Sequence, residues 1–118
     1  MLLTSPRIWL FILYLCSIIY LSATPSHELG YFSFIWRYDK YVHFFEYFIL
    51  GFLLVNALII NPMSKLDWIA VIAFIIIFPI IDETVQRFTP GRIPDVIDAI
   101  ADISGGLIGI YFRSLFPD

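Results

Sequence analysis

Asp39, His43 and either Glu46 or Tyr47 recur at steps of three and four residues, and so do Asp95, Asp98 and Asp102. At that spacing side chains share one face of an α-helix, and seven residues carry the face about 10 Å along its axis. Three kinds of chemistry are open to such a set. A histidine beside carboxylates can pass a proton, converging carboxylates can hold a divalent cation, and an ammonium or guanidinium can grip a phosphate. His43 with Asp39, Asp82 and Asp98 is the candidate catalytic set. Lys40, Gln86, Arg87 and Arg92 are the candidate anion-binding set, and Glu46, Asp98 and Asp102 are candidate ligands for a divalent cation. Arg92 is the expected organiser, because its planar fork can hold two carboxylates or one phosphate. Asp39, Glu46, Asp82, Glu83, Asp95, Asp98 and Asp102 face only Lys40, Arg87 and Arg92, seven acids against three bases. So many like charges cannot all stay ionised at close range, which calls for bound protons or a cation.

The elements that must position these residues lie in a chain of 118 residues, 60% hydrophobic and 14% charged. That composition belongs to a membrane protein, since soluble domains carry about 25% charge. The length allows one domain, residues 1–118, with no repeat or linker to divide it. Four apolar runs predict an all-α, polytopic bundle of four transmembrane helices at about 7–23, 40–60, 65–81 and 95–112. Ser5 and Pro6 suit the start of the first helix, and Ser64 with Asp67 resembles a capping box for the third. Pro79 is expected to bend the third helix near its end. The first run also has features of a secretory signal, but its apolar stretch is long and its cleavage site poor, so a retained helix is expected.

Four passes place both termini on one side and the polar loops, 24–38 and 82–94, on the other. Arg7, Lys65 and Arg113 lie on the terminal side, against Arg37, Lys40, Arg87 and Arg92 on the loop side. The raw count favours loops inside. The loop-side cations, however, belong to the acidic cluster, so cytoplasmic termini are the expectation. Arg37, Asp67, Glu28 and Arg113 read as interfacial anchors, and Trp9, Trp36, Tyr38, Tyr41 and Trp68 as aromatic belts. Ala101, Gly105 and Gly109 repeat every four residues, a stripe that lets a neighbouring helix approach closely, within a monomer rather than between copies. In "TPGR" the Pro90–Gly91 pair suits a type II turn. Cys16 reads as packing. A formal net charge of −3 without a basic stripe excludes a nucleic-acid partner.

The segments "DKYVHFFEYFILG" at 39–51, "DETVQRFTPGR" at 82–92 and "DVIDAIADISGGLIG" at 95–109 resemble the VanZ-like family of small bacterial membrane proteins. The resemblance covers three of the four predicted helices. It implies a bacterial plasma (inner) membrane location and, through the founding member, a link to low-level teicoplanin resistance, but no settled reaction. One position departs from the family pattern: Asp102 stands where an asparagine is usual.

Three functions compete. In the first, the pocket binds or modifies the anionic headgroup of a membrane lipid or lipid-linked cell-wall precursor, with a divalent cation as an open option for cofactor. In the second, the titratable chain relays protons or ions, although few polar residues continue toward the opposite face beyond Asn56 and Ser64. In the third, the cluster only pins the helices of a partner protein for envelope machinery.

Overall fold

The computed structural model describes residues 5–24, 39–58, 63–91 and 95–116. They form four helices, α1 (Pro6–Ser22), α2 (Asp39–Ala57), α3 (Lys65–Arg87) and α4 (Val96–Ser114). No strand occurs among the described residues.

Local chemistry sets most of the boundaries. Ser5 accepts a hydrogen bond from the Arg7 amide and Pro6 takes the first turn of α1, where its missing N–H costs nothing. Ser64 and Asp67 form a reciprocal capping box: the Asp67 amide donates to Ser64 Oγ at 3.1 Å, and the Ser64 amide to Asp67 Oδ2 at 2.8 Å. Asp95 caps α4 by accepting from the Ile97 amide at 2.9 Å. Gly91 has φ 75°, the left-handed value that the third residue of a type II turn requires.

The third helix is longer than expected. Pro79 lies buried inside it without ending it, and α3 runs beyond Ile81 to Arg87, about one and a half further turns. Asp82 and Gln86, four residues apart, are both buried, so the polar stretch continues the helix with an inward face. α2 stops at Ala57, short of the expected 60.

The closest helix pair is α2 with α4, and glycine makes it so. A methyl group at Gly105 would strike the Phe44 carbonyl oxygen, one at Gly109 the Phe48 carbonyl oxygen, and one at Gly51 the Gly106 carbonyl oxygen. The expected stripe is therefore a seam within the chain. Ala101, one step along the same line, is half-buried. Tyr47, Leu50, Val55, Val71, Ile75, Phe78 and Ile110 make up much of the apolar core, while Leu13, Leu66, Ile77, Ile80, Ile100 and Tyr111 face outward.

By length and composition, α3 alone among the described helices qualifies to cross a bilayer. The 17 residues of α1 are apolar but fewer. Lys40 and Glu46 interrupt α2, and Asp98, Asp102 and Arg113 interrupt α4.

Candidate functional site

At the end of the bundle where α2 and α4 begin, the two helices set their polar faces against each other. Lys40 Nζ lies 3.1 Å from Asp95 Oδ2 and 3.1 Å from Asp98 Oδ1. One turn deeper, His43 Nδ1 is hydrogen-bonded to Asp102 Oδ1 at 2.7 Å. His43 Nε2 points toward Asp98 Oδ2 at 3.7 Å, too far for a hydrogen bond. The result is a ladder of alternating charge, Asp95, Lys40, Asp98, His43, Asp102. It runs from solvent inward: the side chains of Lys40 and Asp95 are 48% and 41% exposed, those of His43 and Asp98 only 7% and 9%. Burying a carboxylate costs free energy unless donors surround it, and the ladder supplies them.

A second node adjoins the first and ties in the remaining helices. Asp82 on α3 accepts from the Ser22 hydroxyl on α1 and from the Tyr47 hydroxyl on α2, the latter at 2.8 Å. The Gln86 amide donates to Ser22 Oγ at 3.4 Å, and the Thr89 hydroxyl reaches the Ser22 carbonyl at 2.9 Å. Asp82 thereby links three helices through one carboxylate. Among the described residues, no buried side-chain nitrogen or oxygen lacks a hydrogen-bond partner.

The expected residues divide between these nodes. His43 and Asp98 lie side by side, with Lys40 above them. Asp102, expected as a metal ligand, is instead the carboxylate that orients the imidazole. Asp82, expected beside His43, belongs to the Ser22–Tyr47 node. Gln86 is not at the mouth; it is buried against Ser22. Arg87 is exposed on the last turn of α3. Glu46 turns toward α1 and borders an apolar groove of about 450 Å³ with Tyr14, Ile18, Tyr41 and Phe45, so Glu46, Asp98 and Asp102 do not converge. Among the described residues, no group of three or more His, Cys, Asp or Glu side chains is placed to hold a metal ion. Both nitrogens of His43 are directed at carboxylates, which leaves the ring poorly placed as a ligand. Arg92, the Asp39 side chain, Glu28, Trp36, Arg37 and Tyr38 lie outside the described residues.

Several partners were not read from the sequence. Ser22 falls near the end of the first predicted helix with no role assigned to it, and Tyr47 is one of two residues at the right spacing. Arg113, expected as an interfacial anchor, is buried at the opposite end of the bundle. Its Nε donates to Asn56 Oδ1 at 3.0 Å, its guanidinium also bonds the Phe116 carbonyl, and it lies 5.9 Å from the Phe52 ring centroid. The clue was Asn56, a polar residue in an apolar run that needed a partner.

Among the described residues the fold is all-helical, with apolar side chains outside, carboxylates inside and one helix fit to cross a bilayer, which is the character of a membrane protein. A family model described as VanZ/LLP1 matches residues 8–117, and the chain belongs to that family. No curated protein and no solved structure matches it significantly.

Proposed function

We propose that this chain is a multi-pass protein of the bacterial plasma membrane that binds the anionic headgroup of an envelope lipid or lipid-linked wall precursor at the polar end of its bundle. The inverted polarity supports the membrane setting: isoleucines and leucines cover the outer surface while Asp82, Asp98 and Asp102 are buried. Helix lengths agree. At 1.5 Å per residue, the 19 residues of α2 and of α4 span about 28 Å, close to the hydrocarbon thickness of about 30 Å. Both termini are assigned to the cytoplasmic side and the protein acts as a monomer.

The observation that carries the reading is the ladder on α2 and α4. Lys40 offers a half-exposed ammonium at the mouth, and below it Asp102 holds His43 by Nδ1 so that Nε2 is turned toward Asp98 and the mouth. A headgroup phosphate meets the ammonium first. A headgroup hydroxyl would then lie within reach of an imidazole oriented for proton exchange, with Asp102 fixing the ring and stabilising its charged form. Carboxylate, imidazole and ammonium stand in the order that binding followed by acid–base chemistry requires.

The Asp82 node favours a second reading, in which the polar end only fastens the helices of a partner protein. Mass spectrometry of the intact chain extracted with bacterial lipid separates the two. Headgroup binding predicts a retained anionic phospholipid that Lys40→Met releases; a wild-type chain that carries no phospholipid overturns it. A headgroup converted by the wild type and left intact by His43→Gln assigns catalysis. The proposal extends to the envelope: expression should lower susceptibility to teicoplanin, and a Lys40→Met chain should not.

A further inference from the structure

Asp95 does two jobs with two oxygens. Oδ1 caps α4 by accepting from the Ile97 amide, and Oδ2 lies on the Lys40 ammonium at 3.1 Å. The cap fixes the carboxylate in place, so its second oxygen is presented to Lys40 at little further entropic cost. Lys40 also holds Asp98, but the two acids differ in setting: Asp98 is buried and directed inward, whereas Asp95 is 41% exposed at the rim. The outer partner can give way to an oxyanion from solvent or from the headgroup layer without opening the interior. The inner one cannot.

We infer that Asp95 is an internal placeholder for the headgroup anion, a carboxylate that occupies the ligand's position on Lys40 and sets how strongly charged a ligand must be to enter. The inference rests on the headgroup reading above. A phosphate-type oxyanion replaces Asp95 Oδ2 on the ammonium while Asp98 continues to anchor Lys40 from below. A zwitterionic headgroup, whose phosphate is already partly balanced by its own cation, competes poorly. A phosphomonoester, with more charge and more acceptor oxygens, competes best. Asp95 is thus a specificity-determining residue that acts through Lys40, and an exposed carboxylate–ammonium pair is weak enough to be exchanged.

Asp95→Asn separates the two jobs, because asparagine caps a helix as well as aspartate does but carries no charge. The detergent-solubilised full chain is titrated with short-chain phosphatidic acid, short-chain phosphatidylcholine and inorganic phosphate. Asp95→Asn is expected to bind phosphatidic acid tighter by about one-and-a-half- to fivefold, the range that losing one exposed ion-pair competitor allows. Phosphatidylcholine, which competes poorly with Asp95 in the wild type, should gain at least as much, so that the preference for the monoester narrows once the charge at residue 95 is gone. Tighter binding of inorganic phosphate by the same factor assigns the position to the free anion rather than to a lipid, with the placeholder role intact. Lys40→Met, alone or combined with Asp95→Asn, should abolish the effect. Helix content checks the cap, and Asp95→Ser, which keeps a capping oxygen, should reproduce Asp95→Asn if folding is disturbed. Unchanged or weaker binding in both Asp95 variants, while the wild type binds and Lys40→Met does not, overturns the placeholder and leaves headgroup binding standing. A wild type that binds none of the three ligands overturns both.

Discussion

Tyr47 shows how much a single hydroxyl can matter in this protein. It is fully buried, touches Phe78 with its ring and donates to Asp82 at 2.8 Å. Tyr47→Phe keeps the ring and removes the donor, leaving a buried carboxylate short of one partner. Hydrogen bonds to charged groups are worth about 1.5–3 kcal/mol, so Tyr47→Phe should destabilise the protein by that amount, read as a lowered thermal unfolding midpoint in detergent. An unchanged midpoint would mean that Asp82 finds another donor. At this scale the sequence was informative about which groups turn inward and silent about whom they meet. A charge in an apolar helix must find the interior, which marks Glu46, Asp98 and Asp102, whereas Asp82 falls in a predicted loop. Helical spacing admitted both Glu46 and Tyr47 beside His43, since positions three and four residues on lie on either flank of one face. Packing decided between them: Tyr47 faces the core and Glu46 faces α1. Likewise nothing local distinguished Asp98 from Asp102 as the partner of Nδ1. That choice depends on the axial offset between α2 and α4.

The offset is set by the glycines, which belongs to the scale of elements. Gly105 and Gly109 lie against the Phe44 and Phe48 carbonyls, equal four-residue steps on facing helices. In that register His43 comes level with Asp102 at 2.7 Å. Gly105→Leu should force α2 and α4 apart, cost about 1–3 kcal/mol or more, and break the ladder together with the seam. A spectroscopic distance between labels at Tyr41 and Ile97 would report the separation; a substitution that leaves both distance and stability unchanged would rule out the seam as the source of the register. The repeat of small residues was plain in the sequence, although its partner helix was not. The length of α3 departs furthest from the predicted 65–81. Pro79 and the polar run from Asp82 resembled a helix end, yet Asp82 and Gln86 keep the helical step and spend it on buried hydrogen bonds. Arg113 misled for a similar reason, because an arginine in the last turn looks like a lipid anchor until Asn56 is found to accept from it.

For the whole molecule, the distribution of polarity makes a prediction that a water-soluble bundle would fail. Ile77 is 54% exposed near the middle of α3. On a soluble protein Ile77→Lys would be harmless or would improve solubility. On a lipid-facing surface it places a charge near the bilayer centre, at about 2.5–3.5 kcal/mol on insertion scales. Ile77→Lys should therefore lower the amount of correctly inserted protein, measured by membrane fractionation and protease protection, whereas full recovery of the variant in the aqueous fraction would contradict the membrane setting. Composition alone conveyed this much, and the family match over residues 8–117 agrees with it.

The contrast between the two ends of the α2–α4 pair has a mechanical corollary. Lys40 and His43 fasten one end to α4, Arg113 and Asn56 fasten the other, and bare backbone lies flush in between. These two helices are riveted into a single beam. Any movement of α3 against the beam has to break the Tyr47–Asp82 hydrogen bond, and the Ser22–Asp82 contact makes α1 travel with it.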